Sequence, residues 1–398
     1  MTNTLTARRL LTDIGEIEYP VLTITDGLIT DISSDPRTLA NETDTLTAAF
    51  FDIHNHGAVG HDVMHSTPAE LSKIQRFLAQ HGVAHYLPTT VTAPIDVILR
   101  ALETLANAIE STPNEQEAQP VGIHLEGPFL SHVKRGVHPP AELQPPSIAL
   151  FDRFQTAARG HIKLVTIAPE PNAPKPPSGP WALDPGPGAD TAIDLIAHAT
   201  QTGVRVSLGH SNAIAAETLP AIDAGATSAT HTFNAMRAIA QREPGILGTV
   251  LDDDRLYAEL ICDGIHVAPP LIRLWLKAKG RNRAILVTDS MSAAGMPDGN
   301  YTLGPFIVNV SNGVAMLVEG ERQSLAGSLL TLDRAVANLQ DMTQAPLADA
   351  TRLASHNPAA MLGQPALTRL APGAAANLNR FNAANQLIAT YIRGTKIS

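Results

Sequence analysis

The chain has 398 residues, which is too long for one small core and suits one large domain, with or without a lesser companion. Hydrophobic residues make up 44% of the chain but aromatic residues only 4%, so Ala, Val, Ile and Leu must fill the core, as is typical of helices packed on a parallel sheet. The formal net charge is −10 and no Lys/Arg-rich stripe is interleaved with aromatics, which argues against nucleic acid as a partner. The single cysteine, Cys262, excludes an intrachain disulfide and a cysteine cluster, so any metal ion must be held by His and carboxylate groups.

The N-terminal segment contains a basic pair, but acidic residues follow before the apolar region of a signal peptide can form. No run of about 18 apolar residues occurs in the sequence, which excludes a conventional membrane span. These features predict a cytoplasmic protein with no membrane partner.

Apolar segments rich in β-branched residues recur along the chain and are separated by segments with helical periodicity. The predicted strands are AAFFDIH (48–54), AHYLPTTV (84–91), VGIHLE (121–126), HIKLVTIAPE (161–170), RVSLGH (205–210), ATSATHTFN (226–234), LYAELICDGIH (256–266) and AILVTDS (284–290). Predicted helices between them include 68–82, 93–110, 189–203 and 213–225, several of which end in a Gly suited to a left-handed C-cap. Eight strands alternating with helices predict an α/β fold of the (β/α)8 TIM-like barrel type. An open doubly wound sheet is the alternative, but it requires a G-x-G-x-x-G turn that does not follow these strands.

The two ends of the chain do not fit the barrel pattern, because both contain short strand-like segments. We expect residues 1–47 and 366–398 to form a small β-sandwich domain beside a barrel of residues 48–365. Residues 171–190 are so rich in Pro and Gly that we expect an irregular surface loop there.

Polar residues stand where the predicted strands end, which is where a barrel of this kind carries its active site. His54 and His56 close the first strand, Glu126 the third, His210 the fifth, His231 the sixth and Asp289 the eighth. Residues i and i+2 of an extended chain point to the same side, so His54 and His56 can reach one common point. Imidazole and carboxylate groups without thiolates suit Zn²⁺ or a related ion such as Mn²⁺, Fe²⁺ or Co²⁺.

Seven motifs, between about residue 50 and residue 330, resemble those of the N-acetylglucosamine-6-phosphate deacetylases of the amidohydrolase superfamily. They are DIHNHG, GIHLEGPF, LGHS, THTFNAM, REPG, DGIHV and LVTDS, of which GIHLEGPF and THTFNAM are the most specific. The resemblance implies that Glu126, His210 and His231 bind a principal divalent ion, and that His54 and His56 bind a second ion together with Glu126. We therefore expect one or two ions per subunit, with zinc ahead of iron, manganese or cobalt, and the resemblance also suggests a homodimer.

Asp289 is the residue that we assign to proton transfer, since a carboxylate beside a metal site can take the proton of an attacking water and pass it to a departing amine. Its alternative role is to open a turn or helix in VTDSMSAAG. For a sugar phosphate the resemblance points to Arg242, whose planar fork suits the phosphate. It also points to further substrate contacts at Val137, His138, Asn234, Ala235, His266, Leu325, Ala326 and Gly327, with His138 facing the acetyl group or its oxyanion.

Other polar residues fit the metal site less well. His61, His65, His81, His85 and His132 have no matching role, and the resemblance gives His124 a supporting position behind the ligands. Asn377 stands where the family commonly has Asp, which concerns the terminal sandwich rather than the chemistry.

The leading functional hypothesis is a metal-dependent hydrolase that removes acetate from N-acetylglucosamine 6-phosphate. One alternative is another amidohydrolase, acting on a cyclic amide or an N-acyl amino acid, because metal ligands alone do not specify a substrate. Another is a barrel that binds amino-sugar phosphate as a sensor without turnover. The sequence leaves open the metal, the occupancy of the second site and the tolerance of epimeric sugars.

Overall fold

The computed structural model describes residues 2–170, 190–304, 306–318 and 324–397. Its central feature is a sheet of parallel strands that closes on itself as a barrel, and we number these barrel strands first to eighth in chain order. They are Phe50–Asn55, Val83–Thr90, Ile123–Glu126, Ile162–Ile167, Arg205–Leu208, Ser228–Ala229, Tyr257–Ile261 and Ala284–Val287. Each pairs in parallel with the next, and a parallel bridge between Asn55 and Ser290 joins the first strand to the segment after the eighth. The predicted (β/α)8 barrel is confirmed.

Burial explains why these segments form strands. All eight residues of the second barrel strand are buried, as a strand covered on both faces requires. Apolar side chains from the strands and the surrounding helices form one continuous core, to which Ile53, Leu125 and Leu286 contribute. The strands are therefore fixed by burial on both sides, and their ends form a common rim.

Helices cover the outside of the barrel. They are Pro68–Gln80, Ile95–Glu110, Ile148–Ala157, Ala192–Gln201, Ala215–Asp223, Gly245–Asp252, Pro269–Arg283, Leu332–Thr343, Leu347–Ala354 and His356–Met361, followed by a 3₁₀ turn at Pro365–Thr368. The helix at Ala192 begins with a capping box, in which the Asp194 N–H donates to Thr191 Oγ1 (3.1 Å) and the Thr191 N–H donates to Asp194 Oδ2 (2.9 Å). The four helices predicted from periodicity are all present.

The two chain ends form two sheets beside the barrel, which are antiparallel except where Arg9–Leu11 pairs in parallel with Thr45–Ala48. One sheet contains Thr2–Thr6, Pro20–Thr25 and Leu28–Ser34, and the other contains Glu16–Glu18, Arg9–Leu11, Thr45–Ala48, Leu378–Phe381, Leu387–Ile392 and Thr395–Lys396. The N- and C-terminal segments pair directly, with Leu378 opposite Ala48. These sheets share a second apolar cluster that includes Leu10, Leu22, Ile29 and Leu46. The predicted domain boundaries remain a prediction.

One element was not predicted. Strands Gly299–Leu303, Phe306–Ser311 and Val314–Leu317 form an antiparallel sheet between the eighth barrel strand and the helix at Leu332. Val308 and Val310 are buried in the barrel core, so one face of this sheet covers the barrel. The remaining short strands pair as follows. Gly57–Ala58 is antiparallel to His61–Asp62, and Gln119–Pro120 is parallel to the second barrel strand.

The predicted irregular loop at 171–190 lies, apart from Asp190, outside the described residues. Within the described part of the chain, no helix is long and apolar enough to cross a membrane.

Candidate metal centre

The predicted ligands stand at the C-terminal rim of the barrel. Glu126 is the last residue of the third barrel strand, and His54 is the last residue but one of the first barrel strand. His210, His231 and Asp289 each follow a strand by two residues and adopt positive φ angles of 48°, 29° and 49°. Such a backbone is unfavourable for a residue with a side chain and is concentrated at functional sites. The sharp turn directs each of these side chains back over the barrel.

Glu126 lies at the centre of the cluster. Its Oε1 atom is 3.2 Å from His231 Nε2, 3.3 Å from His210 Nε2 and 3.5 Å from His54 Nε2. Its Oε2 atom is 3.3 Å from His56 Nε2. The residues predicted as ligands therefore point toward one another, although they come from four different strand ends.

Hydrogen bonds fix which ring nitrogen of these histidines faces the cluster. His56 Nδ1 is 2.9 Å from the Thr89 carbonyl oxygen, and His210 Nδ1 is 3.0 Å from that of Lys134. A carbonyl only accepts, so Nδ1 carries the hydrogen in both rings and Nε2 presents a lone pair to the site. Yet Nε2 atoms approach each other to 3.1 Å between His54 and His56, and to 2.9 Å between His210 and His231. The hydrogen on the facing ring of His54 or His231 is not fixed in this way, so each contact is either an N–H···N hydrogen bond or a pair of nitrogen lone pairs turned toward one cation.

The described residues fit a divalent metal ion. Glu126 Oε1 is buried and makes no satisfactory hydrogen bond to any described residue, despite the three ring nitrogens around it. His54, His56 and Asp289 bring one ligand atom each within 4.8 Å of one another, and so do Glu126, His138 and His210. Imidazole and carboxylate donors in a buried cluster are the ligands of Zn²⁺ and its first-row neighbours.

The charges of the cluster are strongly coupled. Burial alone would raise the pKa values of Glu126 and Asp289, but the facing imidazoles, His54 first, hold both well below their usual range. Burial alone would lower the pKa of His56, but Asp289 and Glu126 raise it to about 9. Burial lowers the pKa of His210 to about 4. Both carboxylates are therefore ionised at neutral pH, and the site is built to hold positive charge.

His138 is close to the ligands but presents a different group to them. The Thr92 backbone N–H donates to His138 Nδ1 (3.3 Å), and Thr92 Oγ1 lies 2.8 Å from the same nitrogen. Because an amide N–H only donates, Nδ1 must accept, and the hydrogen of the ring is on Nε2, which lies 3.6 Å from Glu126 Oε2. Distance alone groups His138 with Glu126 and His210 as a possible ligand. The hydrogen-bond pattern instead makes it a donor, which fits the predicted contact with an acetyl oxygen.

The other predicted substrate residues are spread around the rim. Asn234 Nδ2 donates to the His231 carbonyl (3.2 Å), and the Ala235 carbonyl accepts from the Ser211 N–H (3.0 Å). His266 Nδ1 lies 2.6 Å from Asp263 Oδ2. Arg242 is exposed on the segment that precedes the helix at Gly245.

The remaining predicted contacts lie on two loops. Val137 is half-buried beside His138. Leu325 forms an antiparallel bridge with Met316, and Ala326 is buried. Gly327 has a φ of 64°, and a Cβ there would lie 3.4 Å from the Asp289 carbonyl oxygen, so this glycine passes close to the segment that carries Asp289.

Three buried polar residues lie behind the ligands. His124, which was predicted to support the site, packs its ring edge-on against His54 with centroids 4.7 Å apart. Sequence reasoning missed Asp52 and Glu259, which are both fully buried. Asp52 Oδ2 accepts from Thr288 Oγ1 (2.6 Å), and burial raises the Asp52 pKa to about 6. The sequence does contain a signal for both residues, because each is the single acidic residue inside an apolar strand. Asp52 lies in FFDIH and Glu259 in YAELI.

Ligand side chains at the C-terminal ends of barrel strands define the class of metal-dependent barrel hydrolases, and both the fold and the site place the protein in it. Comparison with known proteins narrows that class. The amidohydrolase family model matches residues 45–397, and the chain belongs to this family.

Individual relatives carry more specific names. The chain is 37% identical to the N-acetylgalactosamine-6-phosphate deacetylase of Escherichia coli O157:H7, over 99% of both proteins. It is 34% identical to the N-acetylglucosamine-6-phosphate deacetylase of Bacillus subtilis, over 89% of this chain and 86% of that protein. Among solved structures, the N-acetyl-D-glucosamine-6-phosphate deacetylase of Mycobacterium smegmatis, as a mutant in complex with N-acetyl-D-glucosamine-6-phosphate, matches with a TM-score of 0.88 and 32% identity over 100% of both chains.

Proposed function

We propose that this chain hydrolyses the acetamide bond of N-acetyl-D-glucosamine 6-phosphate, giving D-glucosamine 6-phosphate and acetate. The observation that carries the proposal is the convergence of Glu126, His210 and His231 on one point beside Asp289. Deacetylases of this substrate from Bacillus subtilis and Mycobacterium smegmatis support it, since each matches most of the chain.

The proposed principal ion is held by Glu126, His210 and His231, and a second ion by His54 and His56 together with Glu126. When bound, a divalent ion supplies Lewis acidity, which polarises an acyl carbonyl and lowers the pKa of water. Zinc is the proposed occupant, because the donor set consists of imidazole nitrogens and carboxylate oxygens.

The proton steps belong to the protein's own residues. Asp289 is ionised at neutral pH because neighbouring imidazoles hold its pKa well below the usual range against the effect of burial. It accepts a proton from water as the water oxygen bonds to the acetyl carbon, and it delivers that proton to the amide nitrogen as the C–N bond breaks. The His138 Nε2–H donates to the carbonyl oxygen as negative charge develops on it.

Acetate release by purified protein supplied with Zn²⁺ tests this proposal. We expect Asp289→Asn, which keeps the shape of the side chain but cannot accept the proton, to lower kcat by at least about 100-fold. Asp96→Asn, in an exposed ion pair with Arg100, is the matched control and should retain full activity. Absence of acetate release by the wild type, or equal rates for Asp289→Asn and wild type, would contradict the proposal.

The galactosamine epimer is a second candidate substrate, because the Escherichia coli relative named for N-acetylgalactosamine 6-phosphate covers nearly the whole chain at 37% identity. Values of kcat/KM for the two epimers, measured with the same preparation, decide between them. A preference for the galactosamine epimer would reassign the substrate and leave the chemistry unchanged.

Arg242 separates a sugar-phosphate enzyme from an amidohydrolase for unphosphorylated amides. It is exposed at the rim, where its guanidinium can pair with a phosphate. We expect Arg242→Ala to lower kcat/KM for the phosphorylated sugar far more than for the unphosphorylated sugar, and Arg242→Lys to recover part of the loss. Equal losses for both sugars would favour the cyclic-amide or N-acyl amino acid alternative, and binding without turnover would favour the sensor.

A homodimer in the cytoplasm is the state that we propose for the chain, following the sequence prediction. Sedimentation velocity of the purified protein tests the oligomeric part of this proposal.

A further inference from the structure

Glu259 is a buried acidic residue to which the proposed reaction gives no role. It lies in the middle of the seventh barrel strand with 0% of its surface exposed. Its Oε2 atom is 3.2 Å from His54 Nδ1 and accepts from the His231 backbone N–H at 3.3 Å. Its Oε1 atom has no hydrogen-bond partner among the described residues.

The contacts of Oε2 define what Glu259 does to His54. A carboxylate only accepts hydrogen bonds, so the His231 N–H and the His54 nitrogen that faces Oε2 both donate to Glu259. The Nε2 atom of His54 then presents its lone pair to the proposed metal site. Glu126 and Asp289 lie 3.5 Å and 3.6 Å from this atom. Glu259 thereby sets both the tautomer and the orientation of this ring.

The same carboxylate also holds the backbone of a second predicted ligand. His231 has a φ of 29°, which a residue with a side chain adopts only when its surroundings enforce it. The hydrogen bond from its N–H to Glu259 Oε2, together with that from the Thr232 N–H to the Glu259 carbonyl (2.8 Å), supports this turn.

Burial of a carboxylate costs several kcal/mol unless its partners compensate. Glu259 contacts two predicted ligands, but its second oxygen has no partner among the described residues, which is a poor arrangement for stability alone. We infer that Glu259 is a positioning residue, which holds the His54 ring and the His231 turn so that their Nε2 atoms face the ion, and which thereby sets metal affinity. This inference rests on the proposed metal-dependent site.

Glu259 is also the orienting group that substitution can remove. The Nδ1 atoms of His56 and His210 face backbone carbonyls of Thr89 and Lys134, which no side-chain change deletes. For His54, the group that faces Nδ1 is the side chain of Glu259, which a substitution can change. Removal of a carboxylate that hydrogen-bonds to a metal-binding histidine typically weakens metal binding 10- to 100-fold.

Metal titration of Glu259→Gln tests the inference. Protein freed of metal with a chelator is titrated with Zn²⁺ by calorimetry and with Co²⁺ by visible absorption. We expect Glu259→Gln to bind at least one ion about 10- to 100-fold more weakly, with an altered Co²⁺ spectrum, and to regain occupancy when free Co²⁺ is raised. The matched control is Glu117→Gln, which removes another buried carboxylate, one that contacts Ser72, Arg76 and Asn114, and should titrate as the wild type does.

Each result has a defined meaning. Wild-type affinities and spectrum in folded Glu259→Gln overturn the inference, and so does an equal loss in Glu117→Gln, because the effect would then belong to any buried carboxylate. Glu259→Ala should show the larger loss, and if it does not fold, the Gln variant decides. No sugar is present in the titration, so failure of the deacetylation proposal would leave this result unaffected.

Discussion

A single hydrogen-bond partner separates the two kinds of histidine in this site. His56 and His210 face carbonyl oxygens through Nδ1 and so present lone pairs, whereas His138 faces the Thr92 N–H and presents an N–H. Their residue type, burial and distance from Glu126 are alike. The chemistry of each ring therefore depends on which backbone group lies behind it.

This difference yields a prediction for His138. Replacement by Ala removes a donor to the acetyl oxygen, so we expect kcat to fall by about 100- to 1,000-fold while metal content stays at the wild-type value. Steady-state kinetics and elemental analysis of the same samples measure both quantities. His132→Ala, a change to a partly buried ring on the same loop, serves as the control. Loss of metal from His138→Ala would show instead that the ring is a ligand.

At the scale of elements, the barrel could be predicted because its strands are buried on both faces and so appear as unbroken apolar segments. The convergence of the polar side chains could be predicted because they lie at the C-terminal ends of these segments. The orientation of His210 could not, since it depends on a carbonyl of Lys134 far away in the chain. The sheet formed by strands 299–303, 306–311 and 314–317 was missed because apolar and polar residues alternate in it, with Val308 and Val310 inward, so it lacks the unbroken apolar segments of the barrel strands.

Asn377 links the terminal sheets to the second barrel strand. Its Nδ2 donates to His85 Nε2 (3.1 Å) and its Oδ1 accepts from the Arg393 N–H (2.8 Å). Burial lowers the pKa of His85 to about 4, so this ring stays neutral in the folded protein. An Asp at 377 would instead favour a charged ring.

The free energy of unfolding should therefore depend on pH through His85. Its pKa is near 6.5 in the unfolded chain and about 4 in the fold, so the unfolded state takes up the proton first as the pH falls. The contribution of His85 to stability should be full above about pH 6.5 and should fall by roughly 3 kcal/mol toward pH 4. Urea unfolding at several pH values should show a shallower decline for His85→Gln, and also for Asn377→Asp, which raises the His85 pKa. His356, whose pKa burial also lowers to about 4, should preserve part of the decline in both variants. An unchanged slope in His85→Gln would contradict the assignment.

For the molecule as a whole, the cluster brings together several buried ionisable groups from strands that are distant in sequence. Glu126, Glu259 and Asp52 have little or no exposed surface, and the predicted ligands and Asp289 lie at the ends of the first, third, fifth, sixth and eighth barrel strands. Without a cation these carboxylates are costly to bury. A bound ion offsets that cost and joins opposite sides of the barrel rim.

The melting temperature should therefore rise with the free metal concentration. An ion that binds only the folded state adds about 2.7 kcal/mol to the free energy of unfolding at 100 times its dissociation constant. Calorimetric scans at increasing free Zn²⁺ should show a steady upward shift of Tm, and a chelator should reverse it. His210→Ala removes a proposed ligand of the principal ion and should flatten this dependence, whereas His161→Ala, which loses only a surface contact with Glu110, should leave it intact. A Tm independent of Zn²⁺ in the wild type would mean that the facing ring nitrogens of His210 and His231 are held together by protons rather than by a metal ion.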